Sequence, residues 1–186
     1  YSFVAEHVWQ ATARFLMSEL GLEGPCYVIS TACSSSSKAL ASAQRLIASG
    51  ICDAVLTGGV DSLCRLTLNG FHCLGIMSEH PCTPLDKNRS GISLGEGAGM
   101  LLLEKSTAAS SGCVHLLGCG ESSDAYHMTA PHPDGKGAIL AMQSALTQAG
   151  RSALEIDYVN LHATGTILND RAEMLATESV FGSTIS

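Results

Sequence analysis

The stretch CYVISTACSSSSKALASAQRLIASG at residues 26–50 decides the fold, because a short apolar strand pattern runs directly into a helical one. Residues 27–29 are aromatic or β-branched, which favours a strand. The apolar residues that follow recur at helical spacing: Ala39, Leu40, Ala43, Leu46 and Ile47. Gly50 then supplies a helix stop. The stretch therefore predicts a strand-to-helix unit, with Cys33 at the turn.

Cys33 lies at or beside the N-terminus of the predicted helix. Unpaired backbone N–H groups and the positive end of the helix dipole favour a thiolate at such a position. Its small neighbours leave room for a substrate: Ala32, Ser34, Ser35 and Ser36. Both features suit a nucleophile. The alternative is a small buried residue, since free cysteine is among the most buried residue types.

A histidine ends a second predicted strand, whose apolar residues are Ile156, Tyr158, Val159 and Leu161. His162 then opens a loop of small and hydroxylated residues, 163–166. Asp170 and Glu173 follow one helical turn apart, so both carboxylates fall on one face. A lone histidine after a strand is more often structural. Paired with a strand-end cysteine, it provides what thiol-based acyl transfer requires, a thiolate and an imidazole that exchanges protons near pH 7.

Strand and helix patterns alternate along the whole chain, which indicates α/β layering. The predicted elements are a strand at 26–31, a helix at 34–49, a strand at 53–59, a short helix at 67–76, strands at 97–105 and 113–121, a helix at 136–149 and a strand at 156–161.

Five segments, in this order, carry a family resemblance: TACSSS at 31–36, GGVDS at 58–62, TPLDKNRSGISLGEGAGMLLLE at 83–104, SSDAYHMTAPHPDGKG at 122–137 and YVNLHATGTILNDRAE at 158–173. Together they resemble the β-ketoacyl-acyl-carrier-protein synthases, the condensing enzymes of fatty acid and polyketide synthesis. The run CDAVLTGGVDSLCRLTLNGF at 52–71 is similar to the synthases of aryl-polyene clusters.

The resemblance implies an acyltransferase whose catalytic residues are Cys33 and His162. Cys33 would hold the primer acyl chain as a thioester, with its backbone N–H helping to hold the oxyanion. His162 would be the first of two catalytic histidines and would assist decarboxylation of a malonyl thioester. The resulting enolate would attack the Cys33 thioester in a decarboxylative Claisen condensation.

The same resemblance gives roles to the rest of the histidine loop. Thr164 and Thr166 match threonines that hydrogen-bond the phosphopantetheine arm, and Asp170 and Glu173 match an acidic pair that helps organise the site. The loop departs from the family's usual HGTGT or HGTAT, because Ala163 replaces the first glycine. If this position needs a positive φ, alanine adds roughly a kilocalorie of strain or shifts the loop.

By resemblance the fold is thiolase-like, with two similar halves stacked as α-β-α-β-α layers, and incomplete in this chain. Residues 1–105 would be the later part of the N-terminal half, and residues 106–186 the opening part of the C-terminal half. The family's second histidine and active-site lysine would lie beyond Ser186. We therefore expect the chain to be part of a longer protein, to be inactive alone and to leave apolar surface uncovered.

Composition narrows the function classes. A net charge of −7 excludes a general nucleic-acid binder, which needs a basic stripe. No segment reaches the ~18 to 20 uninterrupted apolar residues of a membrane span. Eight cysteines without a C-x-x-C pair argue against a zinc ribbon or a thioredoxin-like site and favour reduced thiols in a cytoplasm.

No metal or cofactor is expected. One group of potential ligands lies close together in sequence: Cys64, His72, Cys73, His80 and Cys82. Structural zinc sites normally show ligand pairs at short regular spacing, which this group lacks.

The expected partner is an acyl carrier protein bearing phosphopantetheine-linked acyl and malonyl groups. Because carrier proteins are acidic and this chain is also acidic, docking requires a local basic patch, for which Lys38, Arg45, Lys87 and Arg89 are candidates. Arg89 has a structural alternative within its own motif. The resemblance also implies a homodimer or a synthase-like heterodimer.

Three other functions remain open. A thiolase would share the fold and the cysteine but has a different histidine motif. A cysteine hydrolase would need an orienting Asn or Asp in place of the two-threonine loop. A non-catalytic synthase-like partner subunit, of the chain-length-factor type, would normally lack the nucleophile, so Cys33 argues against it.

Overall fold

The computed structural model describes residues 8–106 and 112–182. Its regular elements, in chain order, are α1 (Ala11–Glu19), α2 (Ser35–Ala48), β1 (Ala54–Asp61), α3 (Arg65–Cys73), β2 (Gly97–Glu104), α4 (Lys136–Ala149), a 3-10 turn (Ala153–Glu155) and α5 (Ile167–Phe181). The described residues form two compact units, one of residues 8–60, 98–106 and 112–113, the other of residues 61–97 and 114–182.

Five of the predicted elements are confirmed. The helices predicted at 34–49 and 136–149 are α2 and α4, and the strands predicted at 53–59 and 97–105 are β1 and β2, all within two residues of the expected bounds. Helix α3 corresponds to the helix predicted at 67–76 and begins two residues earlier. The predicted division at residue 105 stays a prediction.

In the first unit, β1 and β2 pair as a two-stranded sheet. Glycines allow close approach there: a Cβ on Gly58 would strike the carbonyl of Gly99, and one on Gly59 would strike the Ser36 hydroxyl near the start of α2. Helix α2 buries Ala41 and Ala43 and ends at Ala48. Gly50, two residues further on, has a φ of +72°, which confirms the predicted helix stop.

In the second unit, α4 packs against α5. Gly135 begins α4 with a φ of +64°, and a Cβ there would strike the carbonyl of Ala172 on α5. Residues 118–120 pack against residues 141–149 of α4. The Cys119 N–H donates to the Gln148 side chain, and Gly120 approaches the Ala141 carbonyl.

The strands predicted at 26–31, 113–121 and 156–161 are wrong as regular elements, since none is assigned there. A strand is stabilised by backbone hydrogen bonds to its neighbours. Within the described ranges only β1 and β2 supply such a ladder. The three apolar patterns therefore remain without strand partners, and Tyr158 is 69% exposed.

Helices α1 and α5 have no counterpart in the predicted element order. The buried positions of α5 are small or polar, namely Asp170, Ala172, Ala176 and Thr177. Such a stripe gives almost no hydrophobic periodicity, which is the main sequence signal for a helix. The short helix α1 buries none of its side chains.

Apolar surface is left uncovered, as expected. Among the described residues, the buried apolar side chains are four alanines, at positions 41, 43, 172 and 176. Larger side chains of β2 stay exposed, such as Leu102 at 62%. No helix in the described ranges is long and apolar enough to cross a membrane.

Replacing Gly120 by alanine in the intact protein should lower the free energy of unfolding by about 1 to 3 kcal/mol, because the added Cβ meets the backbone of α4. Denaturant unfolding measures the change. The control is Gly70→Ala in α3, where a Cβ meets nothing within 4 Å. That variant should gain about 1 kcal/mol from helix propensity. Equal behaviour of the two variants contradicts the packing of residues 118–120 on α4.

Candidate active site

The histidine loop, residues 162–166, leads directly into α5, with Thr166 as the N-cap residue. Two side chains from the early turns of that helix reach back to the loop backbone. Glu173 accepts the His162 N–H at 2.5 Å and the Ala163 N–H at 2.8 Å. Hydrogen bonds to an ionised carboxylate are about twice as strong as neutral ones. Glu173 therefore fixes the backbone that carries the imidazole.

Asp170 holds the other end of the loop and is only 1% exposed. Its Oδ1 accepts the Gly165 N–H at 3.1 Å, and its Oδ2 accepts the Leu85 N–H at 2.9 Å. Arg89 Nε lies 3.0 Å from the same Oδ2 as an ion pair. A buried carboxylate is costly unless it is paired and hydrogen-bonded. Asp170 meets that condition and so ties the segment around Leu85 to the histidine loop.

The loop requires unusual backbone angles. Ala163 has a φ of +46° and Gly165 a φ of +72°. The position of the family glycine therefore does need a positive φ, and Ala163 is strained there. A Cβ on Gly165 would lie 2.7 Å from Cys82 Sγ and 2.8 Å from the Gly91 carbonyl oxygen, while the Cys82 thiol donates to the Thr164 carbonyl at 3.3 Å. The loop is thus packed tightly on residues 82–91.

The side chains predicted for substrate contact lie on the accessible part of this loop. His162 is exposed. Thr164 Oγ1 and Thr166 Oγ1 lie 2.8 Å apart, so one hydroxyl donates to the other. The structure therefore brings together five of the six predicted site residues: His162, Thr164, Thr166, Asp170 and Glu173.

Cys33 belongs to the first unit and is exposed, which excludes the buried alternative in this structure. It follows Ala32, whose φ is +56°, and precedes Ser34, the N-cap residue of α2. The Ser34 hydroxyl donates to the Thr31 carbonyl at 2.9 Å, and the Ser35 hydroxyl donates to the Ala32 carbonyl at 2.6 Å. The serines after Cys33 therefore hold the strained turn that presents the thiol.

A second exposed thiol, Cys64, lies at the start of a helix and was considered from the sequence only as a potential metal ligand. Cys64 is exposed and is the N-cap residue of α3, with its Sγ 3.2 Å from Thr67 Oγ1. Hydrogen bonds from the Thr67 hydroxyl and then from its backbone N–H lower the pKa of Cys64. The available signal is the spacing C-x-x-T at the start of a helix, which resembles a helix-capping pattern.

The segment at 122–137 folds around Asp124. This carboxylate accepts the His132 N–H at 2.9 Å and the Tyr126 N–H at 3.1 Å, and these bonds, the His132 one first, lower the pKa of Asp124. The rings of Tyr126 and His132 contact each other with centroids 4.9 Å apart. The contacts of Asp124 were not predicted, although residues 122–137 carry part of the family resemblance.

The basic candidates for carrier docking divide into two kinds. Arg89 is 17% exposed and engaged with Asp170, so its structural alternative is favoured. Lys38 and Arg45 lie on α2, and Lys87 is exposed on the turn before Arg89. No group of three potential metal ligands occurs within residues 8–106 and 112–182.

A strained cysteine turn precedes α2 in the first unit, and a histidine loop held by two carboxylates precedes α5 in the second. The chain belongs to the beta-ketoacyl synthase family: residues 2–109 match the family's N-terminal domain and residues 114–186 its C-terminal domain.

Curated relatives agree with this membership. The chain is 40% identical over 177 residues to a 3-oxoacyl-[acyl-carrier-protein] synthase 2 of Rhizobium meliloti (strain 1021), covering 89% of this chain and 42% of the relative. It is 39% identical to nodulation protein E of Rhizobium meliloti, covering 92% of this chain and 44% of the relative. The chain thus spans less than half the length of these relatives.

Solved structures confirm the predicted thiolase-like fold. The ketosynthase ApeO in complex with its chain length factor ApeC from Xenorhabdus doucetiae has a TM-score of 0.89 and 48% identity, covering 94% of this chain and 43% of that chain. A type II polyketide ketosynthase bound to its acyl-carrier protein, AntDE:AntF, has a TM-score of 0.85 and 29% identity, covering 94% of this chain and 46% of that one.

Replacing Ala163 by glycine should stabilise the intact protein, because glycine adopts the positive φ of this position without strain. Relief of the strain minus the larger chain entropy of glycine leaves a gain of up to about 1 kcal/mol. Thermal unfolding measures it. A lower melting temperature than that of the natural protein contradicts the strain at Ala163.

Alkylation of the intact protein with iodoacetamide near neutral pH should label Cys33 first and Cys64 second, because both thiols are exposed at helix starts. Peptide mass spectrometry over time gives the order. In Cys64→Ser the rate at Cys33 should stay unchanged. Faster labelling of any third cysteine argues against a nucleophilic Cys33.

Proposed function

We propose that the protein catalyses the decarboxylative Claisen condensation of an acyl primer with a malonyl group in fatty acid or polyketide-type synthesis. The observation that carries this proposal is the fixed histidine loop. Two carboxylates of one helix hold the backbone of His162 while its side chain stays exposed. Membership in the beta-ketoacyl synthase family supports the reaction class.

The first step is thioester exchange at Cys33. Cys33 loses its proton and the thiolate attacks the carbonyl carbon of an acyl thioester. The C–S bond to the carrier breaks, the carrier sulfur takes up that proton, and the acyl group remains on Cys33. The exposure of Cys33 at the strained turn before α2 supports this role, since the attacking sulfur must reach a substrate held by another protein.

The second step is loss of carbon dioxide from a malonyl thioester. The electrons of the broken C–C bond form an enolate, and an imidazole N–H of His162 donates to the enolate oxygen. The enolate carbon then attacks the Cys33 thioester, and the Cys33 thiolate leaves as the new C–C bond forms. Loss of one such donor commonly costs about a hundredfold or more in rate, so the position of His162 governs this step.

The proposed substrates are phosphopantetheine-linked acyl and malonyl groups on an acyl carrier protein. Thr164 and Thr166 present adjacent hydroxyls beside His162, which suits the amide groups of a phosphopantetheine arm. With Arg89 engaged internally, Lys38, Arg45 and Lys87 are the remaining candidates for carrier docking. A cytoplasmic location belongs to the same proposal.

For assembly, we favour pairing with a synthase-like subunit over a homodimer. The 48% identity to ApeO, a ketosynthase described in complex with a chain length factor, supports this choice and agrees with the proposed aryl-polyene subtype. The exposed Cys33 supports a catalytic rather than a non-catalytic role for this chain in such a pair.

Replacing His162 by alanine in the intact protein should lower malonyl-carrier decarboxylation by about a hundredfold or more, because an enolate donor is lost. Acyl transfer from the carrier to Cys33 should persist, since that step needs the thiol first. Carbon dioxide release and intact-protein mass measure the two steps.

Two further variants complete this experiment. Cys33→Ala should abolish acyl loading, which separates a condensing enzyme from a non-catalytic partner subunit. His115→Ala removes another exposed histidine of the same unit and should leave both steps unchanged. Equal loss of loading and decarboxylation in His162→Ala contradicts the proposed division of roles.

A further inference from the structure

The guanidinium of Arg89 makes three contacts, one within its own turn and two with the helix that follows the histidine loop. Nη1 donates to the Asp86 carbonyl at 2.8 Å, and Nη2 donates to the Ile167 carbonyl at 3.5 Å. Nε lies 3.0 Å from Asp170 Oδ2. Arg89 therefore joins its own turn, the first residue of α5 and the buried carboxylate of that helix.

The backbone before Arg89 is arranged around the same carboxylate. Leu85 has a φ of +64°, which is unfavourable for a residue with a side chain, and its N–H donates to Asp170 Oδ2. Strained angles of this kind persist where the surroundings fix them. Arg89 and Leu85 thus converge on one oxygen atom, while the other oxygen of Asp170 holds the Gly165 N–H.

We propose that Arg89 is a positioning residue for His162. It acts through Asp170 and the Ile167 carbonyl, and it touches neither substrate nor the reacting atoms. The proposal rests on the function proposed above, because the step that depends on His162 is malonyl decarboxylation.

The chemistry of arginine explains why this position suits it. A guanidinium carries a fixed charge and several N–H donors in one plane. Arg89 uses two of those donors for carbonyl oxygens, while its Nε makes an ion pair with Asp170 and no hydrogen bond. Removing it leaves Asp170 as a buried carboxylate without its cation, which the protein relieves by admitting water or by moving the loop. A displacement of about 1 Å in a catalytic group commonly costs about a hundredfold in rate.

The kinetic test uses the intact protein with Arg89→Met, Arg89→Lys, Asp170→Asn and the Arg89→Met/Asp170→Asn pair. Arg89→Met should lower kcat for malonyl decarboxylation about tenfold to a hundredfold, with KM and acyl loading of Cys33 within about twofold. Arg89→Lys should recover part of the loss, since it restores the charge. The double variant should be no slower than Asp170→Asn, because Arg89 acts on the histidine loop through Asp170.

Arg151→Met is the matched control. Arg151 forms an exposed ion pair with Glu155 at 2.8 Å, four residues along the chain, outside the histidine loop. The same chemical change there should leave decarboxylation, loading and KM unaltered.

A readout independent of activity comes from Cys82, whose half-buried thiol donates to the Thr164 carbonyl and packs against Gly165. If Arg89 holds the loop, Arg89→Met and, less strongly, Arg89→Lys should speed alkylation of Cys82 several-fold. Cys26 and Cys52, half-buried in the other unit, should react at unchanged rates.

The outcomes separate the two proposals. If the unsubstituted protein does not decarboxylate the malonyl substrate, the proposed function is overturned. The rate of Cys82 alkylation in the Arg89 variants still decides the role of Arg89. Unchanged kcat and unchanged Cys82 reactivity in Arg89→Met overturn the positioning role. Parallel loss of loading and decarboxylation, with faster alkylation of Cys26, Cys52 and Cys82 alike, also overturns it, because that pattern indicates general unfolding. If Arg89→Met does not fold, Arg89→Lys carries the same comparison.

Discussion

The buried carboxylate of Asp170 is the interaction on which the candidate site depends. It accepts N–H groups from two segments far apart in sequence and pairs with Arg89, so its burial is compensated. Glu173, one turn further along the same helix, holds the His162 end of the loop. One helix thereby fixes both ends of a five-residue loop that contains two positive φ angles.

The residues of this site could be predicted from the sequence, but not all of the contacts between them. The one-turn spacing of Asp170 and Glu173 predicted a shared face, and the strain at Ala163 followed from the replaced glycine; the positive φ of Ala163 agrees with that expectation. A structural alternative for Arg89 was open from the sequence, but its contact with Asp170 could not be predicted, since it joins positions 81 residues apart and has no local pattern. The lowered pKa of Cys64 was not predicted, because its contact with Thr67 becomes evident only once α3 is known to begin at Arg65.

The fold was predictable where the signal is local. Helices α2 and α4 combine apolar spacing with a glycine just after each helix, Gly50 and Gly150. A strand also needs a neighbouring strand to hydrogen-bond with, and a hydrophobic sequence pattern does not show whether one is present. The apolar run at residues 156–161 therefore predicted a regular strand that is absent. Helix α5 is present but was not in the predicted element order, because its buried face consists of alanines and polar groups and lacks an apolar stripe.

The central claim is that two carboxylates hold the backbone that positions His162. Residue-specific amide hydrogen exchange in the intact protein tests it most directly. Glu173→Gln should speed exchange about tenfold or more at the His162 and Ala163 amides, and Asp170→Asn should do so at Gly165 and Leu85, because each loses a charged acceptor. Exchange that is unchanged, or raised equally at all four amides in both variants, contradicts the account.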